Sequence, residues 1–110
     1  MLAERRRYFR CPIEVPVFVT TGSGSEFQAT SINVSVTGIA LDSQVRMQAA
    51  ELLKLRFRLP GDEAMMTVAG KICWAKVTGR VGIQFHSLKS DLAARLQHWL
   101  SERFHTLSHA

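Results

Sequence analysis

Hydrophobic and polar positions alternate with period two through most of the chain, then switch to a helical period near its end. In "IEVPVFVT", Ile13, Val15, Val17 and Val19 stand against Glu14, Pro16, Phe18 and Thr20, the pattern of a strand with one buried face. Pro12 and Pro16 lack the N–H of a full ladder, so this strand is expected at an edge or with a bulge. "TGSGS" reads as a hairpin loop, "EFQATSINV" as a second strand, "SVTG" as a turn and "GIALD" as a third strand. Residues 43–50, joined to "ELLKL", also score as helix. The strict alternation of Leu53, Leu55, Phe57 and Leu59 with Lys54, Arg56 and Arg58 instead favours a strand from Leu53.

"PGDE" supplies the next turn, through Gly61 and Asp62. "MMTVAGKICWAKV" follows as a long strand with Met66, Val68, Ile72 and Trp74 on one face, and Gly70 on that face suggests a bulge or a close backbone approach. After "TGR", "VGIQF" puts Val81, Ile83 and Phe85 on a shared face. Leu88, Leu92, Leu96, Trp99, Leu100 and Phe104 then form one helical stripe over about 88–106, with Ser87 or Ser90 as the candidate N-cap. Six short strands joined by turns, without crossover helices, predict a mainly β fold: a six-stranded antiparallel barrel with a C-terminal amphipathic helix over an open end or face.

The 110 residues amount to one domain, large enough for one modest core. No apolar run approaches the ~20 residues of a membrane span. The N-terminus lacks the apolar segment of a secretory signal, so a cytoplasmic protein without membrane insertion is expected. Cys11 and Cys73 form no C-x-x-C pair and have no histidine at ligand spacing, which argues against a metal. They read as reduced thiols in or near the barrel, with a disulfide left open. No paired carboxylates, nucleophile–base pair or Gly-rich phosphate loop supports an enzyme.

Net charge is +5, and residues 1–10 hold four arginines against one glutamate. "ERRRYFR" therefore reads as a mobile basic arm, residues 1–11, ahead of a barrel domain, residues 12–110, and it points to an anionic partner. A solvated basic tail is the bland alternative. Arginine suits base reading as well as charge neutralisation: its guanidinium meets guanine O6 and N7 with two bonds, binds phosphate bidentately and stacks on a purine.

With Arg6-Arg7-Tyr8-Phe9-Arg10 as R-x-x-x-R and Asn33-Val34-Ser35-Val36-Thr37-Gly38 as [DN]-x-S-x-x-G, the chain resembles the PilZ domain family, bacterial receptors for cyclic di-GMP. The likeness extends over "GKICW", "VGIQF" and the terminal helix. It implies a cyclic di-GMP receptor with no cofactor beyond that ligand. Arg6 and Arg10 would be the principal ligand arginines, Arg7 a supporting one, and Asn33, Ser35 and Gly38 the barrel-side partners. Ligand would order the arm on the barrel and change the surface offered to a downstream protein, as yet unidentified.

The residues fit that implication. Asn33 and Ser35 share a strand face and are expected to be exposed polar groups; Gly38 permits a positive φ or a close ligand approach. Trp74 suits either stacking on a guanine or core packing. Tyr8 and Phe9 suit stacking or, better, anchoring the arm, and Trp99 belongs to the core. Arg5, an extra guanidinium before the motif, points to two stacked ligands per chain. "NVS" also matches a glycosylation sequon, discounted without a secretory signal. The rival readings are a basic barrel binding nucleic acid, for which Lys54, Arg56 and Arg58 would serve, and a ligand-free PilZ adapter, for which degraded motifs would be the mark. The intact motifs favour neither.

Overall fold

The structure, a computed structural model, describes residues 8–108. Seven strands and one helix follow in order: β1 (Cys11–Pro12), β2 (Pro16–Thr21), β3 (Glu26–Val34), β4 (Gly38–Asp42), β5 (Leu52–Phe57), β6 (Met66–Ala75), β7 (Arg80–His86) and α1 (Ser90–Ser108). All pairings are antiparallel. The order β3-β2-β5-β6-β7-β4 closes on itself through β3–β4 pairing, so six strands form a barrel and β1 adds a short pairing on β3 beyond the end of β2. The expected six-stranded barrel with a C-terminal helix is thus the fold adopted.

The first predicted strand is broken in two. In a closed ring there is no free edge to absorb prolines, so the strand is interrupted between them. Ile13 to Val15 leave the ladder, and the Ser31 side chain bridges the gap. Its hydroxyl donates to the Ile13 carbonyl and accepts from the Val15 N–H, both at 2.9 Å. Ser31 is buried, so this bridge satisfies backbone groups that would otherwise be orphaned away from water. The inward alternation survives: Ile13, Val17 and Val19 are buried, as are Leu53, Leu55, Phe57 and Leu59.

Two other expectations change. Met66, Val68 and Ile72 face the core, but Trp74 does not: the β6–β7 register shifts between Ile72 and Trp74. Cys73 becomes the extra residue of a bulge, and both Cys73 and Trp74 turn outward. Gly70 marks a close approach instead, with the Ile83 side chain where a Cβ would stand. Gly38 is a close approach too. Its φ is not positive; a Cβ there would collide with the Ile83 carbonyl oxygen of β7.

The helix begins two residues later than expected, leaving Leu88 outside it. Ser87 has a left-handed φ of 53°, which an ordinary N-cap does not adopt. The first helical bond, from Ala93 N–H to the Lys89 carbonyl at 2.8 Å, puts Lys89 at the cap instead of Ser87 or Ser90. Leu96, Trp99 and Leu100 are buried against the barrel.

Along the same helix face, Arg95, Trp99 and Arg103 staple α1 to the β5–β6 turn. The Trp99 indole and the Arg103 guanidinium each donate to the Pro60 carbonyl at 2.9 Å. Arg103 also lies 4.6 Å above the Trp99 ring. Arg95 donates to the Asp62 carboxylate at 3.0 Å and to the Ala64 carbonyl at 2.7 Å. Cys11 is buried, Cys73 exposed, and both are free thiols.

The Asp62 carboxyl is pushed up by partial desolvation. Bonds from Arg95 and from backbone N–H groups, together with the Arg95 charge, outweigh that and hold it below its ordinary value. A depressed folded pKa means stability present above the unfolded value of about 3.9 and lost as pH falls through the folded one. Asp62→Asn should therefore cost up to about 1 kcal/mol at pH 7. The difference from the parent should shrink below about pH 4, as read from urea midpoints across pH. Gly38→Ala should destabilise by about 1–3 kcal/mol through overpacking against β7, measured in the same way. A parental midpoint would show that β7 yields without strain.

Candidate functional site

Three strand ends meet where β3 passes into β4. Asn33 lies in β3, opposite Pro12 on one side and Ala40 on the other. Ser35 opens the connecting turn, its N–H donating to the Gly38 carbonyl at 2.8 Å. Arg10, one residue before β1, reaches over this corner. Its Nε donates to Asn33 Oδ1 at 2.9 Å, and an Nη makes a longer contact of 3.4 Å to Ser35 Oγ. Of the residues predicted for the site, Arg10, Asn33 and Ser35 are thus brought together. Arg5, Arg6 and Arg7 lie outside the described residues.

Ser35 differs from the expectation of an exposed strand-face hydroxyl: it is fully buried. Its oxygen accepts from Arg10 and from the Thr37 N–H at 3.2 Å, and it lies 3.0 Å from the Thr37 hydroxyl. With both lone pairs engaged, its proton goes to Thr37. Ser35 therefore builds the turn and holds Arg10. Asn33 has given its carbonyl oxygen to Arg10 and retains its amide NH2 as a donor pair.

Two of the five guanidinium N–H donors of Arg10 are engaged. Among the described residues no carboxylate neutralises it, the ion pairs there being Arg95–Asp62 and His98–Glu102. Partial burial lowers its pKa from the ordinary arginine value, since desolvation disfavours the charged form. Among the described residues, its other three N–H donors have no acceptor, and two neutral groups aim it.

Beside Arg10 lies a cleft of about 210 Å3, lined by Thr37, Gly38, Cys73, Trp74 and Gln84 among others. The bulge in β6 turns Trp74 into it, 43% exposed. The indole rests on the backbone of Gly82, where no Cβ has room. The Lys76 ammonium stands 5.5 Å from its ring centre. Gly38 lines the cleft, but its lack of a side chain serves the contact with β7.

Thr37, Cys73 and Gln84 are cleft residues that sequence reasoning missed. Gln84 alone had a legible signal, the outward position of "VGIQF", and it pairs with Gly38. A larger cleft, about 690 Å3, lies at the far end of β4 between the loops at Ser43–Met47 and Lys76–Gly79; it holds none of the predicted residues. Among the described residues no group of three His, Cys, Asp or Glu side chains could hold a metal ion. Among the described residues no helix is long and apolar enough to cross a membrane.

Several solved structures share the fold. The inhibitor of motility MotI/DgrA of Bacillus subtilis aligns with a TM-score of 0.75 at 21% identity, over 93% of this chain and 52% of that one. The chain thus spans about half the length of MotI/DgrA. The PilZ domain of YcgR from Escherichia coli, solved with cyclic di-GMP, aligns with a TM-score of 0.68 at 13% identity, over 89% and 90% of the two chains. PlzA of Borreliella burgdorferi, in complex with cyclic di-GMP, gives 0.67 at 16% identity, over 90% and 43%. No curated protein matches the sequence. The PilZ domain family model matches residues 4–102, nearly the whole of the barrel and helix just described, and the chain belongs to the PilZ domain family.

Proposed function

We propose that this chain is a cyclic di-GMP receptor whose output is a changed surface for a partner protein, without chemistry of its own. The observation that carries the reading is Arg10. It is aimed by Asn33 and Ser35, unneutralised among the described residues, and set beside an outward-facing tryptophan. Family membership and the cyclic di-GMP complexes of YcgR and PlzA support it.

Ligand pockets for drug-sized molecules run about 300–1,000 Å3, so the cleft suits one base more than a whole cyclic dinucleotide. In this reading a guanine enters beside Trp74, sharing the ring with Lys76, and Arg10 takes its O6 and N7 edge or a phosphate. The Asn33 NH2 donates to a second acceptor. Arg6 and Arg7 close on the phosphates from the N-terminal side, and the arm, ordered by the ligand, presents a new surface to the partner. The second messenger is a cytosolic one, so the site of action is the cytoplasm.

Calorimetric titration with cyclic di-GMP tests the reading. Arg10→Ala should weaken binding roughly 5- to 150-fold, the equivalent of about 1–3 kcal/mol for a bidentate base contact. Ser35→Ala should lose both affinity and stability, being buried and fully bonded, whereas Asn33→Ala should lose affinity alone. Parental affinity in Arg10→Ala would remove the corner as the ligand site. Steep, salt-dependent binding of long RNA with no preference for the dinucleotide would favour the nucleic-acid reading instead.

Stoichiometry is a separate expectation that rests on Arg5. Two stacked ligands bring four phosphates together, and an additional guanidinium offsets their repulsion and stacks on an outer guanine. The parent should bind two molecules per chain and Arg5→Leu one, with the first site retained. One per chain in both would make Arg5 an ordinary basic residue.

A further inference from the structure

Phe9 directly precedes Arg10 and has a different partner. Its ring meets Phe104 edge-on, with centroids 5.2 Å apart and planes at 74°. Phe9 is partly buried against the core. Phe104 is about half exposed, near the end of α1. Phe9 and Arg10 lead directly into the ladder, which begins at the next residue with Cys11 opposite Val34, and their side chains go to different partners, Phe104 and the Asn33–Ser35 corner. The seat of Phe9 therefore decides which side of the chain Arg10 presents. A slip of one residue would turn the guanidinium away from Asn33 and Ser35.

The bonds of Arg10 do not secure that register by themselves. One is short and one is 3.4 Å, both run to neutral groups, and the residue is exposed. Water competes for such bonds at an exposed side chain. An aromatic edge-to-face pair beside a buried core is an anchor that does not face that competition.

Resting on the receptor reading above, we propose that Phe104 is a positioning residue for ligand binding: through its contact with Phe9 it holds Arg10 over the Asn33–Ser35 corner. It lies on the terminal helix, outside both arginine and Asn-Ser-Gly motifs. Binding free energy is reciprocal between coupled sites, so the end of α1 senses the ligand to the same degree that it assists it.

Two measurements test this. In the ligand-free protein, exchange of the Arg10 Nε–H, followed by 15N NMR, should be slow in the parent and faster in Phe104→Ala, with Phe104→Tyr restoring it. Affinity for cyclic di-GMP should fall roughly threefold to tenfold in Phe104→Ala and recover in Phe104→Tyr. In a Phe9→Ala background, Phe104→Ala should have no further effect, and thermal midpoints should stay close to parental because Phe104 is half exposed. Unchanged Nε–H exchange in Phe104→Ala overturns the proposal, as does faster exchange with parental affinity, or equal losses in Phe104→Ala and Phe104→Tyr. Should the parent fail to bind cyclic di-GMP, the receptor reading falls, while the exchange measurement still decides whether Phe104 positions Arg10.

Discussion

Closing a six-stranded sheet into a ring obliges one strand to pair with both ends of the sheet at once. Here that strand is β4, hydrogen-bonded to β3 on one side and β7 on the other. Its first residue has the tightest fit, with the Ile83 carbonyl occupying the space of a side chain at position 38. Closure also creates the site. It brings the end of β3, the start of β4, the outward edge of β7 and the bulge of β6 to a single corner, where Asn33, Gly38, Gln84 and Trp74 stand together. The glycine that ends the motif thus contributes to the site by permitting the ring to close.

A closed ring leaves no edge on which to discard unpaired backbone groups, and two buried serines take up the resulting demand. Ser31 stands in for the ladder where Pro12 and Pro16 interrupt the first strand. Ser35 organises the β3–β4 turn and has bonding capacity for Arg10 as well. Both are small enough to be buried and polar enough to replace a backbone partner. Alanine at either position would leave buried donors or acceptors unsatisfied, which costs more than the lost bond itself.

Most of the fold was legible because its signals are local. Turn signals on either side gave β3 and β4 their observed bounds, and period-two alternation gave the inward faces of β2 and β5. What stayed hidden depends on partners distant in sequence. Alternation counted through "GKICWA" puts Trp74 inside, and only the register against Gly82 shows that Cys73 is an extra residue that reverses the parity. Ser35 reads as an exposed strand hydroxyl until the turn around it is seen to bury it. Phe104 sits on an apolar helical stripe, and nothing in that stripe shows that its end meets Phe9 instead of the barrel. Ser87 precedes the helix as a cap should, but its left-handed backbone removes it from that role. That Arg10, Asn33 and Ser35 meet at one corner was legible from the motifs, while the contacts among them were not.

Those contacts have a physical order. Ser35 and Asn33 act on Arg10 before any ligand arrives, and a neutral, hydrogen-bonded cradle is the arrangement that leaves the charge of Arg10 available. A carboxylate in the same place would hold the guanidinium more firmly, yet it would compete with every anion that came to bind. Neutral partners aim the side chain, and crowding it without neutralising it raises the gain when an anion enters. The cost is a weak hold, so the segment carrying Arg10 needs an anchor that does not consume its charge. An aromatic contact meets that requirement, because Phe9 and Phe104 fix position through shape, dispersion and the edge-to-face preference of their rings, without a net charge. Among the described residues, the barrel corner gives Arg10 its hydrogen-bond partners, the helix gives Phe9 its aromatic one, and no carboxylate pairs with the arginine between them.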